Sequence, residues 1–345
     1  MSTISLLSKK HIYLYIMCLI LCFLAFFSIS IGLPELNYTY IVNNLTSILT
    51  GQELPQEIKI IFYDIRLPRL CLAIIVGAGL SLAGTGTQAV LCNPLVSPSI
   101  LGLSAGAAFG ASLCILYGGA YYAEYGEMLL VLCAFLGGCI ASITSYLIAS
   151  LKSNSKETVI LSGVAIGFIF SGITILLQYL APYQNLRSII FWTVGSLWNA
   201  NMDTVYFLLP LVIISALLLF LLSTPLNNLL LGEENAFAVG INIKQVRIIT
   251  LLISTVLCAT IIAFTGAIGF IGLICPHITR MLFGSNHRWL IPGSMLMGSI
   301  LLLFSDTLAK VIMWPQELPV GVITSIIGGP FFLYQLIMRK KDWWS

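Results

Sequence analysis

Residues 70–123 read LCLAIIVGAGLSLAGTGTQAVLCNPLVSPSILGLSAGAAFGASLCILYGGAYYA and contain no Asp, Glu, Lys or Arg. About 20 apolar residues are enough for a helix to cross a bilayer, so this run is long enough for two crossings. Two prolines, Pro94 and Pro98, interrupt it near its middle, where a turn between two helices is expected. The stretch therefore predicts a pair of membrane-spanning helices.

The rest of the chain has the same character. Among its 345 residues, 59% are hydrophobic and 8% are charged, and the mean hydropathy is +1.01. Soluble domains carry about 25% charged residues, so a water-soluble fold is excluded. We predict an all-α polytopic membrane protein with a single domain over residues 1–345, in which the longest polar interval is an outer loop at 33–66.

The apolar runs predict ten membrane segments, at 12–33, 67–91, 99–118, 128–150, 158–180, 204–223, 246–265, 267–279, 289–309 and 319–338. The first follows Lys9 and Lys10, but it is longer than the core of a signal peptide and no A-x-A site follows it, so we expect it to be retained. The eighth is short and contains Gly266, Gly269 and Gly272. It is expected to be a half-span that neighbouring helices support.

Charge predicts the orientation in the membrane. With both termini inside, the inner loops and ends carry eleven Lys or Arg residues and four acidic residues, whereas the outer ones carry five and nine. Cytoplasmic loops of membrane proteins are enriched in Lys and Arg. We therefore expect a multi-pass protein of the bacterial inner (cytoplasmic) membrane with both termini in the cytoplasm. The net charge of +3 is small and spread over the loops, which argues against nucleic acid as a partner.

Small residues recur at close spacing within several segments. Small side chains let helix backbones approach each other, so these positions are predicted to be helix contacts. They are Gly77, Gly79, Ala83 and Gly86 in the second segment, Gly102, Gly106 and Gly110 in the third, and Gly163 and Gly167 in the fifth.

Side chains capable of chemistry are sparse in the predicted segments. Asp306 and Lys310 fall near one outer end together with Glu317, and their spacing predicts an ion pair on one helix. No carboxylate falls in the middle of a segment, which argues against an ion-driven secondary transporter, the first of two alternative functions.

The three histidines form no set with ligand spacing and the nine cysteines form no C-x-x-C, so no metal site is expected. The second alternative, a membrane-embedded enzyme, would need a Ser/His/Asp or H-E-x-x-H arrangement, and the sequence has neither.

The interval 225–247, PLNNLLLGEENAFAVGINIKQVR, is expected on the inner side. Its apolar residues alternate with glycines and acids, which is typical of two short helical pieces broken by glycine. A loop with this much apolar surface favours a protein partner, and an amphipathic linker on the lipid surface is the alternative. The chain has no G-x-x-x-x-G-K-[ST], so any ATPase must be a separate subunit.

Several motifs resemble those of the FecCD-type permeases, the family that imports iron-siderophores, haem and vitamin B12. Together they cover nearly the whole chain in the expected order. They are RLPR at 66–69, VGAGLSLAGTGTQAVLCNPLVSPSILGLSAGAAFGA at 76–111, LSGVAIG at 161–167, LGEENAFAVGI at 231–241, GAIGFIGLICPHITR at 266–280, NHR at 286–288 and ELPVGVITSIIGGPFFLYQL at 317–336. Two positions depart from the family pattern: Lys310 stands where arginine is common, and Cys92 where a polar or charged residue is commoner.

The resemblance implies a type II ABC importer permease fold with about ten transmembrane helices. The partners that it implies are a second permease copy or a paralogue, two cytoplasmic ABC ATPase subunits, and a periplasmic or lipid-anchored substrate-binding protein, besides membrane lipid. No cofactor is expected on this chain, because ATP-Mg would be bound by the ATPases. The implied substrate is an iron-siderophore or a related metal chelate, and haem or vitamin B12 is the alternative.

Three groups of site residues follow from the loops and the resemblance, and none of them is catalytic. Coupling to the ATPases is expected at Leu231, Gly232, Glu233, Glu234, Ala236 and Gly240. Docking of the binding protein is expected at Arg66, Arg69 and Lys310, with head-group snorkelling as the alternative for the arginines. The translocation path and its gate are expected at Gln88, Asn93, Pro94, Ser155, Lys156 and Glu157, with an ordinary turn at 93–98 as the alternative.

Overall fold

The computed structural model describes residues 2–31, 56–118, 126–152 and 156–338, and in these ranges its regular elements are all helices, without strands. A π-helical turn, Ile60–Arg66, joins α2 to α3, and a 3-10 turn, Pro98–Leu101, precedes α4. The helices are α1 Ser2–Ser30, α2 Gln56–Lys59, α3 Leu67–Leu91, α4 Leu103–Leu116, α5 Gly126–Lys152, α6 Lys156–Leu180, α7 Tyr183–Val194, α8 Met202–Leu221, α9 Ser223–Leu230, α10 Glu233–Ala238, α11 Ile243–Thr265, α12 Ile271–Phe283, α13 His287–Val311 and α14 Val320–Met338.

The ten predicted membrane segments all correspond to helices. In the described ranges, seven helices are long and apolar enough to cross a membrane, and three shorter apolar helices, α4, α12 and α14, supply the rest. Helix α7, at Tyr183–Val194, was not predicted from the sequence; it connects α6 to α8. Most of the predicted outer loop at 33–66 lies outside the described residues, but its last part is the helical extension that leads into α3.

The half-span is confirmed, although its helix begins at Ile271 rather than at 267. The backbone before it is not helical, and both Gly266 and Phe270 have positive φ angles, of 70° and 67°. Neighbouring backbone covers this stretch, because the amide of Ser196 donates to the carbonyl of Thr265 at 2.8 Å. The irregular backbone therefore begins against other parts of the protein, as expected of a half-span that its neighbours support.

Helix α3 is at the centre of the bundle and packs against α11, α12 and α13. Gly77 lies directly against Gly298 of α13, and Gly84 lies against Gly272 of α12; a Cβ atom added to either α3 glycine would collide with the backbone of the partner helix. The same close approach joins α4 to α5, where Gly106 faces Gly137. These contacts confirm that the small residues of the sequence mark helix–helix contacts.

We predict that Gly77→Ala destabilises the protein. The added methyl group would meet the carbonyl of Gly298, and overpacking of this kind costs about 1–3 kcal/mol. Gly172→Ala in α6 is the matched control, because no atom lies within 4 Å of its Cβ position and alanine is the better helix former. Thermal unfolding in detergent should show a lower Tm for the first variant and an equal or higher Tm for the second. Equal Tm values for both variants would contradict the packing described for α3.

Candidate functional site

A pair of short helices, α9 and α10, forms a compact segment at one end of the bundle, which we call the α9–α10 segment (residues 222–242). Gly232 separates the two helices with a φ of 108°, and Gly240 ends the second with a φ of 83°. These are backbone angles that glycine adopts most easily. The sequence-based prediction of two short helical pieces broken by glycine is confirmed.

The α9–α10 segment has one buried and one exposed apolar face. Leu226, Leu229 and Ala236 are buried in a cluster with the last turn of α3. On the other side, three large side chains are mostly exposed: Leu231 (69%), Phe237 (76%) and Val239 (70%). An exposed apolar patch of this kind, rimmed by polar residues, is typical of a protein-binding surface.

Five of the six residues predicted for coupling lie on the exposed side of this segment, namely Leu231, Gly232, Glu233, Glu234 and Gly240. Ala236 does not, because it is fully buried against the bundle. Its side chain therefore contributes packing within this chain and cannot contact a partner. Phe237, the next residue, takes the outward position, and sequence reasoning did not select it as a site residue.

Glu233 connects the segment to two membrane helices. Its Oε1 atom accepts a hydrogen bond from Nη2 of Arg247 in α11 at 2.9 Å and lies 3.6 Å from Nζ of Lys156 in α6. The neighbouring Glu234 makes no ion pair with the described residues. Lys156, predicted as a gate residue, and Glu233, predicted as a coupling residue, are thus in direct contact.

Asn227 attaches α9 to the start of α13. Its Oδ1 atom accepts from the backbone N–H of His287 at 2.8 Å and lies 2.7 Å from Nδ1 of the same histidine, while its Nδ2 donates to Oδ1 of Asn286 at 3.1 Å. Because Asn227 Oδ1 is an acceptor, the imidazole carries its proton on Nδ1 in this arrangement. The NHR motif had drawn attention to Asn286 and His287, but nothing in the sequence indicated Asn227 as their partner.

Cys92 links the same segment to the end of α3. It caps α3 with a left-handed backbone, at φ 43° and ψ 42°, and its thiol lies 3.9 Å from the carbonyl of Leu229. Asn and Asp tolerate this backbone conformation better than other residues with side chains. In this chain the thiol supplies a weak donor toward α9 instead.

The remaining gate residues lie close to this end of the bundle. Gln88 is fully buried; its Nε2 donates to the carbonyl of Leu273, and its Oε1 accepts from Nη1 of Arg280, both at 3.2 Å. Asn93 closes a tight turn by accepting from the amide of Leu95 at 3.0 Å.

Three further gate residues complete the predicted set. Pro94 is buried at that turn, and Glu157 is exposed in the first turn of α6. Ser155 lies outside the described residues.

A second polar site, the Arg69–Asp306 cluster (Arg69, Asp306, Lys310 and Glu317), lies at the opposite end. Asp306 is fully buried and pairs with Nη2 of Arg69 at 2.9 Å and with Nζ of Lys310 at 2.8 Å. Arg69 also donates from Nη1 to Glu317 at 2.6 Å. The predicted pair on one helix, Asp306 with Lys310, is confirmed, and Arg69 ties that pair to α3.

This arrangement limits the docking prediction. Direct docking needs cationic groups that are free to meet the carboxylates of a partner, but Arg69 and Lys310 expose only 10% and 12% of their side chains and are bound to carboxylates of this chain. Arg66 is partly exposed and makes no ion pair with the described residues.

Within the described ranges, no group of three or more His, Cys, Asp or Glu residues could hold a metal ion.

Comparison with known proteins agrees with this architecture. The model of the FecCD transport family matches residues 19–339. The hemin transport system permease protein HmuU of Yersinia pestis is 35% identical over 97% of this chain and 97% of that protein. The Fe(3+)-citrate import system permease protein YfmE of Bacillus subtilis is 36% identical over 94% and 95%. A solved metal-chelate type ABC transporter in an inward-facing conformation has a TM-score of 0.82 and 32% identity, over 95% of this chain and 99% of that one.

We predict that Asp306→Asn strongly destabilises the fold. The change removes the shared counter-ion of Arg69 and Lys310, and breaking a buried ion pair costs about 3–5 kcal/mol. Asp203→Asn, at an exposed carboxylate in the first turn of α8, is the control and should change the Tm little. The measurement is thermal unfolding of the detergent-solubilised chain. A similar small change for both variants would show that the cluster does not hold α3 and α13 together.

Proposed function

Because this chain belongs to the FecCD transport family of ABC importer permeases, we propose that it passes an iron chelate through the membrane, driven by ATPases on separate subunits. The relatives that carry ferric citrate and hemin support this class of cargo, and the hemin relative makes haem the second candidate. The alternatives of a secondary transporter and a membrane-embedded enzyme are not supported, since the family match covers most of the chain.

The observation that carries the proposal is the two-faced α9–α10 segment. Its outer face offers Leu231, Phe237 and Val239 to a partner. The half-exposed Glu233 and Asn227 bond the segment to three membrane helices. A partner that pulls or pushes on the outer face therefore acts on α6, α11 and α13 together. Through such connections an ATPase subunit can move the membrane helices, and the permease needs no catalytic group of its own.

We further propose that the α9–α10 segment faces the cytoplasm, with both termini of the chain, in the inner membrane. The excess of Lys and Arg at that end supports this orientation. The residues at the same end, Gln88, Asn93, Pro94 and Lys156, would then lie at the cytoplasmic mouth of the path. The contact between Lys156 and Glu233 supports a gate that opens as the segment moves.

The proposed assembly contains a second permease copy or a paralogue, two ATPase subunits and a substrate-binding protein, periplasmic or lipid-anchored. For the binding protein, we propose that Arg66 makes the direct contact, since Arg69 and Lys310 are engaged with Asp306. Those two would act as positioning residues that fix the start of α3, next to Arg66. ATP-Mg would be held by the ATPases and not by this chain.

We predict that Glu233→Gln uncouples the transporter. Loss of the carboxylate removes the attraction for Lys156 and Arg247, and a partly exposed ion pair contributes about 0.2–1 kcal/mol. In proteoliposomes that contain the whole transporter, the number of cargo molecules imported per ATP should fall by roughly 1.4- to five-fold, as that energy implies. Glu234→Gln, one residue further on and without an ion pair, is the matched control. Equal effects of the two changes would exclude a specific role for Glu233.

We also predict that Phe237→Ser weakens capture of the ATPase subunits, because it removes the most exposed aromatic group of the outer face. Phe237→Leu keeps the apolar surface and should retain capture. The measurement is the amount of ATPase that co-purifies with a tagged permease. If the serine variant retains as much ATPase as the leucine variant, the outer face is not the ATPase contact.

For the opposite end, we predict that Arg66→Gln slows import when the binding protein is limiting, because exposed cations act mainly on the rate of encounter with an acidic partner. Lys59→Gln is the control, since Lys59 is an exposed cation on the preceding helix α2. Association with the binding protein should become slower and less dependent on salt only for Arg66→Gln. Unchanged association would leave head-group snorkelling as the role of Arg66.

A further inference from the structure

Basic and aromatic residues lie where α1 crosses the start of α13, and we call this group the α1–α13 patch (Lys9, Lys10, His11, Arg288 and Trp289). Lys10 and His11 contact Trp289, and Lys9 and Arg288 are the adjacent residues of the two helices. The Nζ atom of Lys10 lies 5.9 Å from the centre of the Trp289 ring, and the ring of His11 stands edge-on to the same indole at 4.9 Å. A cation at this distance over an indole face is held by attraction to the ring. The ammonium group of Lys10 therefore has a defined place on α13.

The cations of the patch have no carboxylate partner among the residues that the structure describes. None of Lys9, Lys10 and Arg288 forms an ion pair with a carboxylate in the described ranges, although Lys156 and Arg247 at the same end share Glu233. Arg288 lies in the first turn of α13, where the helix dipole disfavours a cation and favours an anion. The patch is therefore a concentration of positive charge that needs an external counter-ion.

The depth of the patch in the membrane indicates what that counter-ion is. The apolar span of α1 begins at Lys9 and that of α13 begins at His287, so both sets of cations stand where an apolar span begins. This is the level of the lipid head groups, at which indole rings also prefer to lie. Below the patch, on the side of α1 that carries Lys9, the side chains of Ile16 (46%) and Ile20 (43%) are exposed and offer an apolar surface to acyl chains.

We propose that the α1–α13 patch binds an anionic phospholipid, with the head-group phosphate at Lys10 and Arg288 and the acyl chains along the exposed face of α1. The apolar surface below the cations favours a lipid over a free phosphate ion, which would gain nothing from Ile16 and Ile20. Basic pockets between transmembrane helices are known to hold anionic head groups in this way. The proposal does not depend on the transport role or on the cargo.

The bound lipid would have a mechanical consequence for α1. Only 11% of the α1 span is buried in the rest of the chain, so this helix has little protein contact to hold it. A lipid that bridges Lys10 on α1 and Arg288 on α13 would fasten α1 to the same helix that Asn227 joins to the α9–α10 segment.

The test is a titration of the full-length chain, purified in a neutral detergent, with phosphatidylglycerol, counting bound lipid by native mass spectrometry. Removing both charges with Lys10→Gln/Arg288→Gln should lower the affinity about 25-fold, since each juxtamembrane cation contributes about five-fold. The matched control Lys152→Gln/Lys244→Gln removes two exposed cations of the same end that lie on α5 and α11, and should change affinity less than two-fold. Phosphatidylcholine should bind equally weakly to all forms.

Three results would overturn the proposal. Equal losses in the two double variants would assign the effect to the overall charge of this end. If glycerol phosphate competes for the site with the same affinity as phosphatidylglycerol, the site belongs to a soluble anion. The third is a loss of affinity in Lys10→Arg/Arg288→Lys, which keeps both charges, provided that this variant unfolds at the wild-type temperature.

Discussion

Lipid offers no hydrogen-bonding partners to the helices of this protein, and the rest of its structure depends on that constraint. Within the spans, several hydroxyl groups bond back to their own helix, as Thr87 does to the carbonyl of Ala83 at 2.9 Å. Glycines such as Gly77 and Gly84 let helices touch backbone to backbone, so that packing requires no polar group. In the described ranges the carboxylate–cation contacts gather at the two ends of the bundle, in the Arg69–Asp306 cluster and around Glu233.

The two ends of the bundle therefore differ in rigidity. The Arg69–Asp306 cluster is buried, and breaking it would leave charges without partners, so it acts as a rigid clamp on α3 and α13. The contacts of Glu233 are half-exposed and each is weak, which lets them rearrange at a small cost in free energy. A transporter that alternates between conformations needs both: a bundle that keeps its packing, and a junction through which an outside partner can move it.

Much of this organisation was predictable from the sequence, because hydropathy and small residues report directly on spans and helix contacts. Helix α7 was missed, since Gln184, Asn185 and Arg187 interrupt its apolar run. The pairing of Arg69 with Asp306, 237 positions apart, depends on the register of α3 against α13, which no local pattern contains. The sequence pattern also does not predict which residues of α10 face the bundle. The side chain of Ala236 faces inward because of the position at which that helix begins.

We propose that Lys156 acts through Glu233, so that a motion of the α9–α10 segment reaches α6 by this contact. The direct measurement is the ratio of cargo imported to ATP hydrolysed, in proteoliposomes, for Lys156→Gln alone, for Glu233→Gln alone and for the two together. If the claim holds, adding Lys156→Gln to Glu233→Gln causes no further loss, because the interaction is already absent. Losses that simply multiply would mean that the two residues act independently, and would contradict the account.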